Sequence, residues 1–269
     1  MPDLHFVVCM KVVPKSEEIR VDHETWRLIR EGARSEINPP DMNALEMALA
    51  LKDRHGGRIS LVSMGPMDFD PYLRIGLAMG ADAAYLLSDR QFAGADTLAT
   101  TYTLAKAIEM LGPADVILCG EESSDGATGQ VPPGLAEWLG LPQITLINAL
   151  ELDDTSRFVR GKREAAGGYE IIQVPLPAVV SIKTACNEPR FMDYDIKEKA
   201  MKETQITVWN STDLETKEDF IGIPGSPTIV TGVGEAETRE RKREVIAGDL
   251  DQKVEKLTKV LAPFIQTRD

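Results

Sequence analysis

"DVILCGEESSDGATGQVPPGLAEWLG", residues 115–140, decides the fold. Its first six residues form a short apolar run bounded by turn signals, which reads as a buried strand. Small residues and acids follow, then an amphipathic helix with Val131, Leu135 and Leu139 on one face and Gly140 as its stop. Pro132 and Pro133 stand in its first turn, where a missing N–H costs least. A strand, a glycine-containing loop and a helix make the repeating unit of a parallel sheet. The loop then lies at the carboxyl edge, where such sheets bind ligands.

Outward from this stretch the same unit recurs. Residues 6–13, 58–64 and 83–88 read as further buried parallel strands, with a fifth strand at 143–150. Helices fall between them with clear punctuation: Asp41 as the cap of "MNALEMALALKDRH", Asp70-Pro71 before "YLRIGLAM", and Asp96 before "TLATTYTLAKAIEML". The fold class is therefore α/β, a mainly parallel sheet with helices on both faces. "SRFVRGKREAAGGYEIIQVPLPAVVSI" (156–182) reads as a β-hairpin followed by another apolar strand. The expected division is residues 1–208 as the α/β domain with its hairpin, and 209–269 as a polar C-terminal arm. Leu250, Val254, Leu257 and Leu261 give that arm one amphipathic helix, too little to bury a core of its own.

Composition narrows the function. A net charge of -13 over 269 residues argues against nucleic acid, whose binding rests on neutralising phosphates with Lys and Arg. No apolar run reaches the roughly 20 residues of a membrane span, and "MPDLHFVVCMK" has no export pattern; the expected location is the cytoplasm. Cys9, Cys119 and Cys186 lie far apart, which excludes an iron–sulfur cluster, a zinc knuckle or a disulfide framework. His5, His23 and His55 are scattered and read as structural or exposed, so neither a metal site nor a catalytic side chain is expected.

A nucleotide remains possible, because backbone dipoles rather than net charge can hold its phosphates. There is no GxxxxGK[ST], no GxGxxG after the first strand and no SGGxDS. Read alone, residues 120–130 are either an anion seat or a plain capped loop, and Asp125 either caps the helix or accepts from loop amides or a ribose. Lys11, Asn38, Met64, Thr97 and Thr100 stand at the same carboxyl edge, each with an ordinary structural reading as well.

Several motifs in one order carry a resemblance: "VVCMKVVP", "INPPDMNALEMALALKD", "SMGP", "GLAMGAD", "DGATGQVPPGLAEWLG", "GYEIIQVPLPAVVSI" and "NEPRF" at 187–191. Together they span nearly the whole chain, and the chain resembles the electron-transfer flavoprotein β, or small, subunit. The resemblance implies that the sheet is Rossmann-like and binds an adenine nucleotide, and that the chain forms an obligate heterodimer with an α subunit. "SDRQFAGADTLATT" (88–101) resembles the electron-bifurcating type, which implies FAD in this subunit, with AMP as the alternative of the plain carriers. It also implies NADH as donor, an acyl-CoA dehydrogenase type flavoprotein as partner, and a low-potential acceptor such as ferredoxin or flavodoxin.

By position, the resemblance assigns Cys9, Asn38, Met64 and the loop of Ser124, Asp125, Gly126, Ala127, Thr128, Gly129 and Gln130 to the AMP half, and brings Thr97 and Thr100 to the pyrophosphate or the isoalloxazine. Lys11, Asp41, Asp96 and Gly120 complete the expected cofactor-binding set. Phe191, Tyr194 and Ile196 would form the docking tip for the dehydrogenase. The chain departs from the family's "GxQAIDGDTAQ" with "GEESSDGATGQ", and Tyr194 stands where some relatives have a leucine. A stand-alone ATP-binding regulatory module is the rival from another class; it would need its own phosphate motif and a compact C-terminus.

Overall fold

The computed structural model describes the chain except at residues 1–3, 16–19, 23–26, 30–33, 154, 156, 185, 193, 194, 196, 197, 199–204, 230–244 and 265–269. In chain order the main elements are β1 (His5–Cys9), β2 (Val12–Pro14), β3 (Arg20–Asp22), β4 (Arg27–Ile29), β5 (Ser35–Ile37), α1 (Pro39–His55), β6 (Arg58–Met64), α2 (Asp70–Met79) and β7 (Ala83–Leu87). They continue with α3 (Thr97–Leu111), β8 (Val116–Gly120), α4 (Val131–Leu139), β9 (Gln143–Leu152), β10 (Phe158–Ala165), β11 (Gly168–Pro175), β12 (Ala178–Ile182), β13 (Thr207–Trp209) and α5 (Leu250–Leu261). Nine strands form one sheet in the order β11-β10-β9-β12-β8-β1-β6-β7-β13. All its pairings are parallel except those of β10 with β9 and β11. The expected α/β class is the observed one.

Period-two alternation sends β1 to both faces. Phe6 and Val8 join Leu45 and Leu49 of α1 and Leu73 and Leu77 of α2 in one apolar layer. Val7 and Cys9 join Tyr102 and Leu104 of α3 and Leu135 and Ala136 of α4 in the other. α3 and α4 lie close because Gly134 leaves room: a Cβ there would stand 3.0 Å from the Thr101 side chain.

The expected strand at 6–13 is two strands. After Cys9 the Lys11 amide donates to Asp41 Oδ2 at 2.8 Å, and the Lys11 carbonyl accepts from the Asn38 amide at 2.8 Å. These bonds take the chain off the main sheet, and β2 pairs with β5 instead. Asp41 is not the cap of α1; Asn38 holds that position, and Asp41 lies inside the first turn. The hairpin is present as β10 and β11, and the apolar strand after it, β12, inserts between β8 and β9.

The boundary expected after residue 208 does not divide the structure. The compact units are Met1–Val233 and Gly234–Asp269. Leu214 and Ile221 are buried in the layer beneath α3, so residues soon after Trp209 belong to the first unit. Polar composition hid this, since two apolar side chains anchor an otherwise polar segment. In the second unit α5 opens with a reciprocal cap between Asp249 and Gln252, and the described residues of that unit hold no other long element to cover its apolar stripe.

Candidate functional site

β1 continues through α1 to β6 on one side, whereas β8 lies on its other side and is reached from β7 through α3. The connections leaving β1 and β8 therefore diverge, and a crevice opens beyond their carboxyl ends. Asp41 spans the floor of that crevice. Its Oδ2 accepts from the Lys11 amide at 2.8 Å and its Oδ1 from the Gly120 amide at 3.0 Å, tying the two strand ends together. Burial pushes the Asp41 carboxyl up to about 7, against the lowering effect of both amides, the Asn38 side chain and the Lys11 charge. Gly120 is needed by this close approach, because a Cβ would stand 2.4 Å from Asp41 Oδ1 and 2.6 Å from Pro40.

Asn38 is 1 % exposed and holds the next segment. Its Nδ2 donates to the Glu122 carbonyl at 2.9 Å, and its Oδ1 accepts from the Ser124 amide at 3.0 Å. The side chain is thereby bound to the loop backbone. Lys11 Nζ pairs with Asp125 Oδ1 at 2.6 Å and donates to Ser123 Oγ at 3.2 Å. Burial raises the Asp125 pKa, but the hydrogen bond and charge of Lys11, with Ser123, outweigh it and hold the carboxyl below its ordinary value. Asp125 does not cap α4; Gln130 is at the cap position and makes no side-chain cap bond.

The loop between them is shaped for an acceptor. Ala127 (φ 45°) and Gly129 (φ 62°) are left-handed, while Gln130 is right-handed. Gly126 and Ala127 donate to the Ser123 carbonyl, at 3.2 and 2.7 Å. The amides of Thr128, Gly129 and Val131 have no acceptor among the described residues. Left-handed and right-handed residues in succession turn neighbouring N–H groups toward one point, an arrangement that suits an anion. Because Pro132 and Pro133 have no N–H, the helix's first turn offers the Val131 amide, and the Thr128 and Gly129 donors come from the loop.

α3 begins beside the same loop, with Thr97 Oγ1 donating to Gln130 Oε1 at 2.7 Å. Two helix N-termini, each carrying partial positive charge, thus meet at the crevice. Asp96 is committed elsewhere. Its Oδ1 accepts from the Leu98 and Ala99 amides as the α3 cap, and its Oδ2 from the Thr228 amide and hydroxyl. Burial raises its pKa, and those bonds outweigh it and lower the carboxyl overall. The Asp96 amide donates to Ser226 Oγ at 2.8 Å, so "GIPGSPT" (222–228) is fastened across the start of α3. Nothing local in the sequence links Ser226 or Thr228 with Asp96, 130 and 132 residues earlier.

Of the other sequence-derived positions, Cys9 is buried beside Cys119, whose thiol is pushed up by that contact and by burial. Met64 packs partly buried against the α3/α4 layer, and Thr100 lies in the first turn of α3 with its amide on the Asp96 carbonyl at 2.9 Å. Lys11, Asn38, Ser124–Gln130 and Thr97 come together; Asp41, Gly120, Asp96 and Cys9 support them from below or behind. His5 is buried, hydrogen-bonded to Ser60 Oγ and the Pro113 carbonyl, as a structural histidine. Phe191 is 99 % exposed beyond Arg190, which Glu46 and Asp53 of α1 hold at 2.9 Å; Tyr194 and Ile196 lie outside the described residues. Among the described residues no three His, Cys, Asp or Glu side chains converge as a metal donor set, and no helix is long and apolar enough to cross a membrane.

The site's residues fit a phosphate-bearing group, with unpaired loop amides, a lysine and two helix N-termini around one crevice. Comparison with known proteins shows the family. Residues 25–214 match the model of the electron transfer flavoprotein domain. The chain is 40 % identical over 258 residues to electron transfer flavoprotein subunit beta of Thermoanaerobacterium thermosaccharolyticum, covering 96 % of this chain and 98 % of the relative. It is 40 % identical to caffeyl-CoA reductase-Etf complex subunit CarD of Acetobacterium woodii, covering 84 % and 86 %. It is 39 % identical to protein FixA of Azorhizobium caulinodans, covering 90 % and 88 %. The chain belongs to the electron transfer flavoprotein family, as a β subunit.

Proposed function

We propose that the chain works with an α subunit as an electron-transferring heterodimer, and that its crevice holds the adenosine and phosphate part of FAD. The observation that carries the reading is the set of unpaired amides at Thr128, Gly129 and Val131 beside Lys11. Those amides would take the phosphate oxygens, and the Lys11 ammonium, shared with Asp125, would offset their charge. Asp41 and Asn38 keep the loop at the right distance from β1, so the donors are in place before a ligand arrives. FAD, when bound, supplies hydride and single-electron chemistry; no side chain of this subunit is asked to supply a proton or a nucleophile.

The bifurcating reading, with NADH as donor, an acyl-CoA dehydrogenase type partner and a ferredoxin or flavodoxin as second acceptor, is supported by the likeness to a subunit named for a caffeyl-CoA reductase complex. The full exposure of Phe191 supports a docking role for the loop from Phe191 to Ile196. One observation favours AMP as a second reading: Thr97 already has a protein partner in Gln130, so its presence does not require a flavin. Acid extraction of the purified heterodimer decides between them. Two FAD per heterodimer with NADH oxidation is the expected result; one FAD, one AMP and no NADH reaction would establish the plain carrier.

A further inference from the structure

The two edges of the main sheet are unlike. At one end β13 has only three residues, Thr207–Trp209. At the other, β11 runs for eight, "GYEIIQVP", pairs among the described residues with β10 alone, and has one charged residue, Glu170. Proteins blunt long edges with lysines, prolines, bulges or a covering segment, because unpaired N–H and C=O groups recruit further strands. β11 ends in Pro175 but, among the described residues, has none of these protections along Gly168–Val174. Its outer residues Tyr169 and Ile171 are 64 % and 68 % exposed, whereas Ile172 and Val174 face the core.

The charge beside this edge is also unusual for a chain of net charge -13. β10 and the turn before it carry Arg157, Arg160, Lys162 and Arg163 within seven residues. Arg163 is neutralised by Glu170 at 2.7 Å. Arg160 and Lys162 instead lean across β11: Arg160 Nη2 donates to Gln173 Oε1 at 3.0 Å, and Lys162 Nζ stands 4.2 Å from the centre of the Tyr169 ring. Their cationic heads therefore lie over the outermost strand, next to the place a further strand would occupy, about 4.8 Å farther out. A recess of about 240 Å3 lined by Glu151, Phe158, Arg160 and Gln173 continues the same face.

We propose that β11 receives an extended, acidic strand of the α subunit, which adds to the sheet and sets carboxylates against Arg160 and Lys162. Main-chain hydrogen bonds would supply adhesion and the apolar pair with its cations would supply selectivity. A second copy of this chain fits less well, since it would bring the same two cations to the junction. The inference rests on the heterodimer reading above and names the surface involved.

The test uses the αβ heterodimer and the β subunit alone in hydrogen–deuterium exchange, with variants Ile171→Glu and Arg160→Glu/Lys162→Glu. All three positions are exposed, so the fold should be retained, and far-ultraviolet circular dichroism checks it. Added protection of amides 169–174 in the heterodimer is expected, with each variant weakening association by about tenfold or more. The charge-reversal variant should also lose most of the salt dependence of association. A heterodimer that forms with amides 169–174 as exposed as in the free subunit, and with unchanged variant affinity, overturns the inference while leaving the heterodimer reading intact. Failure of α and β to associate at all overturns both. Protection that grows with the concentration of the β subunit alone identifies a second copy as the occupant and overturns the inference.

Discussion

Asp41 and Asn38 are buried polar groups with different jobs. Each Asp41 oxygen accepts a strand-end amide, while Asn38 gives and accepts one bond on the loop. Burial raises the Asp41 carboxyl to about 7 from its ordinary 3.8, so the folded state holds a proton that the unfolded chain has released between those values. The group's stabilising contribution is therefore complete below pH 3.8 and is lost as pH rises through about 7, with a slope of at most about 1.4 kcal/mol per pH unit. Asp41→Asn should remove that slope. Its single amide oxygen cannot serve both N–H donors, so stability at pH 5 should also fall by about 1–3 kcal/mol. Urea midpoints between pH 5 and 8 check both expectations. A wild-type midpoint that does not fall over this range would contradict the assignment.

At the scale of elements, Asp96 joins the start of α3 to the 222–228 segment, so one substitution should loosen two structures. Asp96→Ala removes a helix cap, a loss of about 1 kcal/mol, and leaves the Thr228 amide and hydroxyl without their carboxylate. Exchange at Thr228 should rise sharply while the strands β1, β6 and β8 stay protected. Equal loosening of the whole first unit would mean that Asp96 supports the core rather than this segment. The helix spacing, stops and the α3 cap were legible because they depend on near neighbours in the chain. The clamp on Asp96 was not legible, since it joins residues 130 positions or more apart.

The whole molecule comprises a first unit with apolar layers on both faces of its sheet and a second unit whose described residues hold little beyond α5. The buried residues of both layers lie between Leu4 and Ile221. Truncation after Val233 should therefore leave cooperative melting within about 4 °C of the full chain, the shift expected for roughly 1 kcal/mol. The same truncation should weaken α-subunit binding, because α5 needs a surface for Leu250, Val254, Leu257 and Leu261. Calorimetry of the truncated subunit and titration with the α subunit measure the two effects. Loss of cooperative melting would show that the second unit contributes to the fold of the first.

The sequence by itself determined the α/β class, the strands β6, β7 and β8, the helices between them and the place of the 120–130 loop. Those follow from hydrophobic period, caps and turn residues, which act over a few positions. The family resemblance likewise needed only motifs in order. Tertiary structure alone decided that β12 lies between β8 and β9, that the first predicted strand breaks at Lys11, and that residues 210–228 belong to the first unit. It also showed that Asp41 joins the ends of β1 and β8 and that Asn38 holds the loop backbone. Each of these depends on a hydrogen bond or a buried contact between residues distant in sequence, where burial makes an unpaired polar group costly and so selects the partner.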